Sequence, residues 1–333
     1  MQSLLHYNTF GIDQSCRQIF EPATEEEIRA LLPRLRNEPL LVIGGGSNLL
    51  LTKDFDGNVL HPAIKGIEVR AGLAGDEGHA YLRCGAGETW DDVVAFAVNG
   101  GYYGMENMSM IPGEVGASAI QNVGAYGSEA KDIIYKVETV EVSTGNAVVF
   151  LNSDCGYAYR HSRFKAEWKG RYIVTHVTYR LSTTFVPHLD YGNLRAVLDG
   201  KGISVPTAMD VRQAVMEIRR EKLPDPSVEG NAGSFFMNPV VGREKFEALQ
   251  AAFPSMPYYA VGDMYKIPAG WMIEQCGWKG RTLGRAGVHA RQALVLVNRG
   301  GASGEEILGL CTAVCADVRK VFGIDLRPEV NII

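Results

Sequence analysis

The sequence predicts an α+β protein built from three domains. Its 333 residues exceed one domain of ordinary size. Glycine gathers at 44–46, 85–87, 100–104 and 113–127, so the first 130 residues are rich in tight turns. Short apolar runs alternate there with amphipathic helical patterns, and the character changes after about residue 205. The boundaries fall at 1–65, 66–205 and 206–333.

Taken in order, Thr24 caps a helix, with Glu27 three residues on. Residues 40–43 read as a buried strand. Thr89 opens a second helix whose apolar face carries Val93, Val94, Phe96 and Ala97, and Asn99-Gly100-Gly101 ends it. Strands follow at 137–142, 147–151 and 172–181, the first two joined by a hairpin turn at Ser143-Thr-Gly-Asn. A helix over 207–221 halts before Pro224, and residues 231–241 are Gly- and Asn-rich, then apolar. A long amphipathic helix over 305–322 presents Ile307, Leu308, Cys311, Val314, Val318 and Val321.

Composition narrows the function classes. Hydrophobic residues make up 46% and charged residues 21%, as in an ordinary soluble globular protein. The formal net charge of −5 argues against wrapping a nucleic acid, so a phosphate site must be local. Residues 1–10 carry no signal-peptide pattern, and no stretch approaches the roughly 20 apolar residues of a membrane helix, so neither leader nor membrane is expected. Of the six cysteines, only Cys311 and Cys315 lie close, with no His beside them; they read as core packing rather than a metal site. Reduced cysteines fit a cytoplasmic address.

Two glycine loops carry the functional signal. Gly44-Gly-Gly-Ser-Asn-Leu fits a dinucleotide fingerprint poorly, because the third glycine falls at Leu49 and a strand follows rather than a helix. It is either a structural turn or a phosphate cradle in which backbone amides are joined by Ser47 and Asn48. The second loop, 111–127, is long, apolar and glycine-punctuated, the mark of a functional segment. Together they suit a ligand with a pyrophosphate and a large flat ring, such as FAD.

Ordered motifs then extend across nearly the whole chain. They begin with Asn8-Thr-Phe, the loop at 44–49, the segment 111–127 and Tyr159-Arg-His-Ser-Arg-Phe-Lys. Lys222-Leu-Pro-Asp-Pro, Gly230-Asn-Ala-Gly-Ser-Phe-Phe and Ala269-Gly-Trp-Met-Ile-Glu-Gln-Cys-Gly follow, then His289-Ala-Arg-Gln-Ala-Leu-Val-Leu-Val-Asn and Pro328-Glu-Val. With these the N-terminal half resembles the FAD-binding fold of the p-cresol methylhydroxylase and vanillyl-alcohol oxidase relatives. The whole chain resembles the UDP-N-acetylenolpyruvoylglucosamine reductase family, in the branch with an extra loop over the nucleotide. One departure is visible: Met237 stands where the family carries Lys.

The resemblance implies a cytoplasmic, monomeric flavoenzyme of peptidoglycan synthesis that takes UDP-N-acetylglucosamine enolpyruvate and NADPH and binds FAD without a covalent link. It implies FAD contacts from Gly44, Gly45, Gly46, Ser47, Asn48 and Leu49, and from Ile111, Pro112, Gly113, Gly116, Ala117, Gln121, Asn122, Gly124, Ala125 and Tyr126. It places Tyr191, Lys222, Asn238, Tyr259, Lys266 and Gln292 on the UDP-sugar, Tyr191 on a mobile lid. The substrate is a vinyl ether conjugated to a carboxylate, and hydride addition leaves an enolate that needs donors at its oxygens and an acid at its carbon. By resemblance, Arg160 pairs with the carboxylate, Glu329 donates as a protonated carboxyl, and Ser234 gives the proton to carbon. Two other readings stay open on residues alone: a flavin oxidase of the same superfamily acting on an alcohol or sugar, and a non-catalytic nucleotide-sugar-binding protein.

Overall fold

In the computed structural model, residues 1–72 and 75–333 are described, and they pack as two units. One gathers Met1–Gln2, Cys16–Gly45 and Asp56–Glu221; the other gathers Ser3–Ser15, Gly46–Phe55 and Lys222–Ile333.

In the first unit, the helix Glu25–Leu35 starts as the local sequence demands. Thr24 Oγ1 accepts from the Glu27 amide at 3.1 Å, and Glu27 Oε2 accepts from the Ala23 amide at 2.7 Å. Its buried Ile28, Leu32 and Leu35 pack with Leu60, Ile64, Val140 and Ile173. The strand Leu40–Val42 pairs in parallel with Phe55–Leu60, Leu40 opposite Asn58. A five-stranded antiparallel sheet runs in the order Ala147–Leu151, Ile134–Glu141, Tyr172–Ser182, His79–Gly85, Ile67–Ala71. The turn joining its first two strands is the expected hairpin, with Val140 opposite Ala147 and Gly145 at φ +76°. The sheet's core side packs Leu82, Val137, Val177 and Tyr179 with Trp90 and Ala119 of the helices Trp90–Asn99 and Val115–Gln121. Tyr179 is fully buried, and its phenol oxygen sits 2.7 Å from Ser118 Oγ. Asp91 accepts a two-pronged ion pair from Arg212 at 2.6 and 2.9 Å and the Met110 amide as well. Burial works against its charge, but these partners prevail and hold its pKa below the ordinary value. The helix Ala208–Lys222 is thereby tied to Trp90–Asn99.

Three local readings need correction. Thr89 precedes the helix Trp90–Asn99, but its side chain makes no cap; the Trp90 amide bonds to Gly113 O at 3.0 Å, and backbone replaces the hydroxyl. Phe96 is exposed, because the buried stripe runs through Trp90, Val93, Val94, Ala97 and Val98. Val321 is exposed for the same reason, and Leu310 and Phe322 complete the core face. A short helix, Leu194–Gly200, was not expected; Leu194 and Leu198 pack against Leu189, Val211 and Val215.

In the second unit, the sheet order is Asn231–Ser234, Val295–Asn298, Ala286–Val288, Thr282–Leu283. The helix Gly304–Phe322 buries Ile307, Leu310, Val314 and Val318 in the core shared with Val288 and Leu296. Ser303 and Glu306 form a reciprocal cap at its start, and Gly323 at φ +60° ends it. Cys311 is buried and Cys315 half-buried on this helix, and both are free thiols. A second sheet orders Val240–Val241, Met264–Lys266, Tyr259–Val261. The C-terminal strand Asn331–Ile332 pairs in parallel with Leu49–Leu50, which sets the chain's end beside the second half of the first glycine loop. Among the described residues no helix is long and apolar enough to cross a membrane, and no cluster of three or more His, Cys, Asp or Glu could hold a metal.

Candidate active site

In the first unit, Gly44 and Gly45 leave the strand Leu40–Val42 through the buried Ile43. Gly45 is exposed, and a Cβ there would meet nothing closer than 3.7 Å. The chain's own packing would accept a side chain at 45 at ordinary contact distance, so the packing of the protein alone does not require a glycine there. Gly124 is different. A Cβ there would lie 2.5 Å from Ser128 O, so that glycine serves the chain's own hairpin.

The segment 111–127 is strained where it matters. Among the described residues, four non-glycine residues have positive φ: Met110, Asn122, Tyr126 and Arg160, at 60°, 46°, 48° and 54°. Such backbone is costly and clusters at functional sites. Each strained residue is pinned. Asn122 donates to Ala158 O at 2.9 Å and accepts from the Lys131 amide at 2.9 Å. Tyr126 O accepts from Asn107 Nδ2 at 2.9 Å. The Arg160 guanidinium donates to Gly124 O at 2.7 Å and to Asn122 O at 3.3 Å. Gln121, on the same segment, has a buried Oε1 with no hydrogen-bond partner. A buried orphan acceptor calls for a donor from outside the chain. The exposed Gly45 and the orphan Gln121 oxygen therefore fit a bound cofactor.

Tyr191 is exposed and stands over this segment: a Cβ at Gly127 would lie 3.3 Å from Tyr191 Cβ. Asn107 Nδ2 also donates to His188 O at 2.8 Å, linking the loop that carries Tyr191 to Tyr126. One residue escaped sequence reasoning. Arg219, on the helix Ala208–Lys222, has a buried Nε with no partner. Burial lowers its pKa, with Tyr126 and Asp91 opposing and Arg160 adding. The signal was its spacing: Val211, Val215 and Arg219 fall four apart, so this Arg lies on the buried stripe.

In the second unit, Gly46 has φ +65°, and a Cβ would sit 2.0 Å from Tyr7 O; no other residue fits there. Ser234 ends the strand Asn231–Ser234 with its side chain exposed, while Phe235 and Phe236 turn inward. The C-terminal segment runs antiparallel beside it. Phe236 bridges Pro328, and the Glu329 amide donates to Phe235 O at 2.8 Å. Asn48 Nδ2 reaches Glu329 O at 3.4 Å, and Asn331 Nδ2 donates to Asn48 O at 3.1 Å. Ser234, Glu329 and Asn48 are thus drawn together from positions far apart in sequence. Met237, through its amide, bonds Arg327 O at 2.9 Å.

Apart from Tyr191, the expected sugar-binding residues are spread over this unit. Tyr259 pairs with Lys266 across the hairpin, and the ammonium lies 5.5 Å from its ring centroid. The adjoining Tyr258 packs on Phe246 and Tyr265. Asn238 Oδ1 accepts from the Ala269 amide at 2.8 Å, at the start of the helix Ala269–Gln275. Gln292 Oε1 accepts from the Leu294 amide at 3.3 Å, and Lys222 is exposed at its helix end.

Comparison with known proteins decides the family. The family model described as "UDP-N-acetylenolpyruvoylglucosamine reductase, C-terminal domain" matches residues 225–333, and the one described as "FAD binding domain" matches 16–150. A UDP-N-acetylenolpyruvoylglucosamine reductase from Bacteroides fragilis is 53% identical over 334 residues, covering 99% of this chain and 98% of the relative. The chain belongs to the UDP-N-acetylenolpyruvoylglucosamine reductase family. Proteins of the same description from Flavobacterium johnsoniae and Burkholderia ambifaria are 44% and 46% identical, over 99% and 98% of this chain and 98% and 94% of theirs. The solved structure from Thermus caldophilus, described as a UDP-N-acetylenolpyruvylglucosamine reductase, superposes with a TM-score of 0.66 at 23% identity, covering 99% of this chain and 96% of that one, and shows the shared fold. The chain is accordingly an FAD-dependent oxidoreductase, with a p-cresol methylhydroxylase-type FAD-binding fold followed by the family's C-terminal α+β domain. FAD is its cofactor, and a nicotinamide is the co-substrate of the family's reaction.

Proposed function

We propose that this flavoenzyme reduces UDP-N-acetylglucosamine enolpyruvate to UDP-N-acetylmuramate with NADPH, as a cytoplasmic monomer in peptidoglycan synthesis. The observation that carries it is the pairing of the C-terminal segment with 235–237, which brings Glu329 next to the strand end that carries the exposed Ser234, in a chain matched end to end by the family. Gly44–Leu49 and the segment 111–126 would hold FAD; Gly45 and Gln121 support this most directly, while Gly124 takes part through its backbone only. When bound, the flavin supplies the hydride that adds to the vinyl carbon.

The chain's own residues do the rest. Arg160 neutralises the substrate carboxylate with its planar fork. Glu329 donates to the same carboxylate as charge builds on it. Ser234 transfers its hydroxyl proton to the adjacent carbon, a strong enough base to take it, and is reprotonated from solvent. Lys222 and Lys266 meet the pyrophosphate, while Asn238, Tyr259 and Gln292 position the UDP-sugar. Between the adjacent tyrosines, the packing of Tyr258 on Phe246 supports Tyr259 as the ligand contact. Arg219 joins Arg160 as a second cation for an anionic group. Free cysteines support a reducing compartment. The division at 65 and 205 is part of the same proposal.

The direct test is NADPH oxidation that depends on the enolpyruvyl UDP-sugar and yields one muramyl product per NADPH; oxidation indifferent to that sugar contradicts the proposal. Gly45→Val is expected to give folded, colourless protein, because a Cβ at 45 makes only ordinary contacts of 3.7 Å and beyond with the chain while the added bulk fills the exposed side of the loop. Flavin retained at wild-type occupancy would move the cofactor elsewhere. Tyr191→Ala is expected to raise the KM for the UDP-sugar several-fold, with the KM for NADPH less affected, since the lid closes over the nucleotide. An unchanged KM for the sugar rules out the lid.

A further inference from the structure

Gly44, Gly45 and the segment 111–127, all in the first unit, are joined through a side chain that the reaction does not use. His61 follows the strand Phe55–Leu60. Its Nε2 lies 2.9 Å and 3.0 Å from the two carboxylate oxygens of Glu114, and its Nδ1 lies 3.1 Å from Glu21 Oε1. Glu21 follows the strand Ser15–Phe20, and Glu114 immediately precedes the helix Val115–Gln121 in the middle of the second loop. The Glu114 carboxylate in turn lies under the first loop: a Cβ at Gly44 would come 3.0 Å from its Oε2, and one at Gly45 would come 3.7 Å from its Oε1. The side chains of His61 and Glu114 are each only 16% exposed, so solvent screens their attraction weakly. Glu21 is half exposed.

The chemistry of the ring decides what this arrangement does. Both imidazole nitrogens face carboxylate oxygens. An imidazolium donates to both at once; a neutral ring donates to one and turns a lone pair toward the other carboxylate. The cationic form is the one this site is built for.

We propose that His61, as an imidazolium, is a positioning residue for the cofactor: it anchors Glu114 beneath Gly44 and Gly45, so that FAD is held tightly while the ring is charged and loosens when it is not. This rests on the reading in which those loops hold FAD. Among the charged groups facing the ring are Glu114 from the second loop and Glu21 from the end of its strand. The hydrogen bond with Glu114 raises the His61 pKa above its ordinary 6.5, burial opposes it, and Glu21 adds to the rise. The contribution is therefore complete below the ordinary value and disappears as pH climbs through the raised one.

The test follows FAD release from diluted holoenzyme by flavin fluorescence, from about pH 6 to about pH 9. Wild-type protein is expected to bind FAD about tenfold more weakly at the upper end, the loss of a charge-assisted hydrogen bond. His61→Ala is expected to bind about tenfold more weakly already at the lower end and to lose the slope. Glu114→Gln keeps the shape and removes the charge, and it too is expected to flatten the profile. Wild-type affinity with the wild-type slope in His61→Ala overturns the proposal; should that variant not fold, the same result in Glu114→Gln overturns it. If Gly45→Val loses FAD while His61→Ala keeps it with an unchanged slope, the clamp is wrong and the loop assignment stands.

Discussion

Ser234→Ala is expected to split the catalytic cycle. NADPH should still bleach the flavin at close to the wild-type rate, while reoxidation by the enolpyruvyl substrate should slow by about three orders of magnitude, the cost of losing an acid placed at carbon. The geometry makes this a clean change. Ser234 is exposed at the end of its strand, and the inward-facing Phe235 next to it anchors the backbone through its own amide, 2.8 Å from Leu294 O. Removing one exposed hydroxyl should alter stability by no more than about 0.5 kcal/mol. Rapid-reaction absorbance on each half separately is the measurement. Equal slowing of both halves assigns Ser234 to scaffold rather than chemistry.

Arg160→Lys should also be severe, with a different signature. Lys keeps the charge but not the fork, and the loss of a donor at a developing oxyanion costs about two to three orders of magnitude in kcat. A second effect comes from the Arg160 contacts themselves. Its guanidinium holds Gly124 O and Asn122 O, so the variant is expected to lose part of its flavin as well. Activity must therefore be counted per bound flavin. A lysine variant that retains a third of the wild-type kcat on that basis excludes Arg160 from carboxylate recognition.

What could be read in the sequence was what is local. The cap of Thr24 on the Glu27 amide, the hairpin turn around Gly145 and the long helix ending at Gly323 each follow from neighbouring residues, and each is present. Phe96 and Val321 sit at the margin of an apolar stripe, where a periodic pattern cannot say which side the core takes. The helix Leu194–Gly200 is too short to announce itself between two glycines.

For the site, family motifs supplied the residues, but their physical reasons lay in long-range contacts. Gly45 and Gly124 look alike in sequence; only the Ser128 carbonyl 2.5 Å from a would-be Cβ separates a glycine that the chain's own packing requires from one that it does not. Glu329 reaches Phe235 and Asn48 through strand pairing across most of the chain length. His61 and Glu114 lie 53 residues apart, with no pattern between them to betray the pair. Arg219 was hidden among the charges of its own helix, although its spacing from Val215 marked it as inward-facing.

The most direct test of the central claim is one anaerobic titration followed by absorbance. Purified protein should show the spectrum of noncovalently bound oxidised flavin; one equivalent of NADPH should bleach it, and one equivalent of UDP-N-acetylglucosamine enolpyruvate should restore it. Protein without flavin, or reduced flavin that the UDP-sugar fails to reoxidise, would contradict the account.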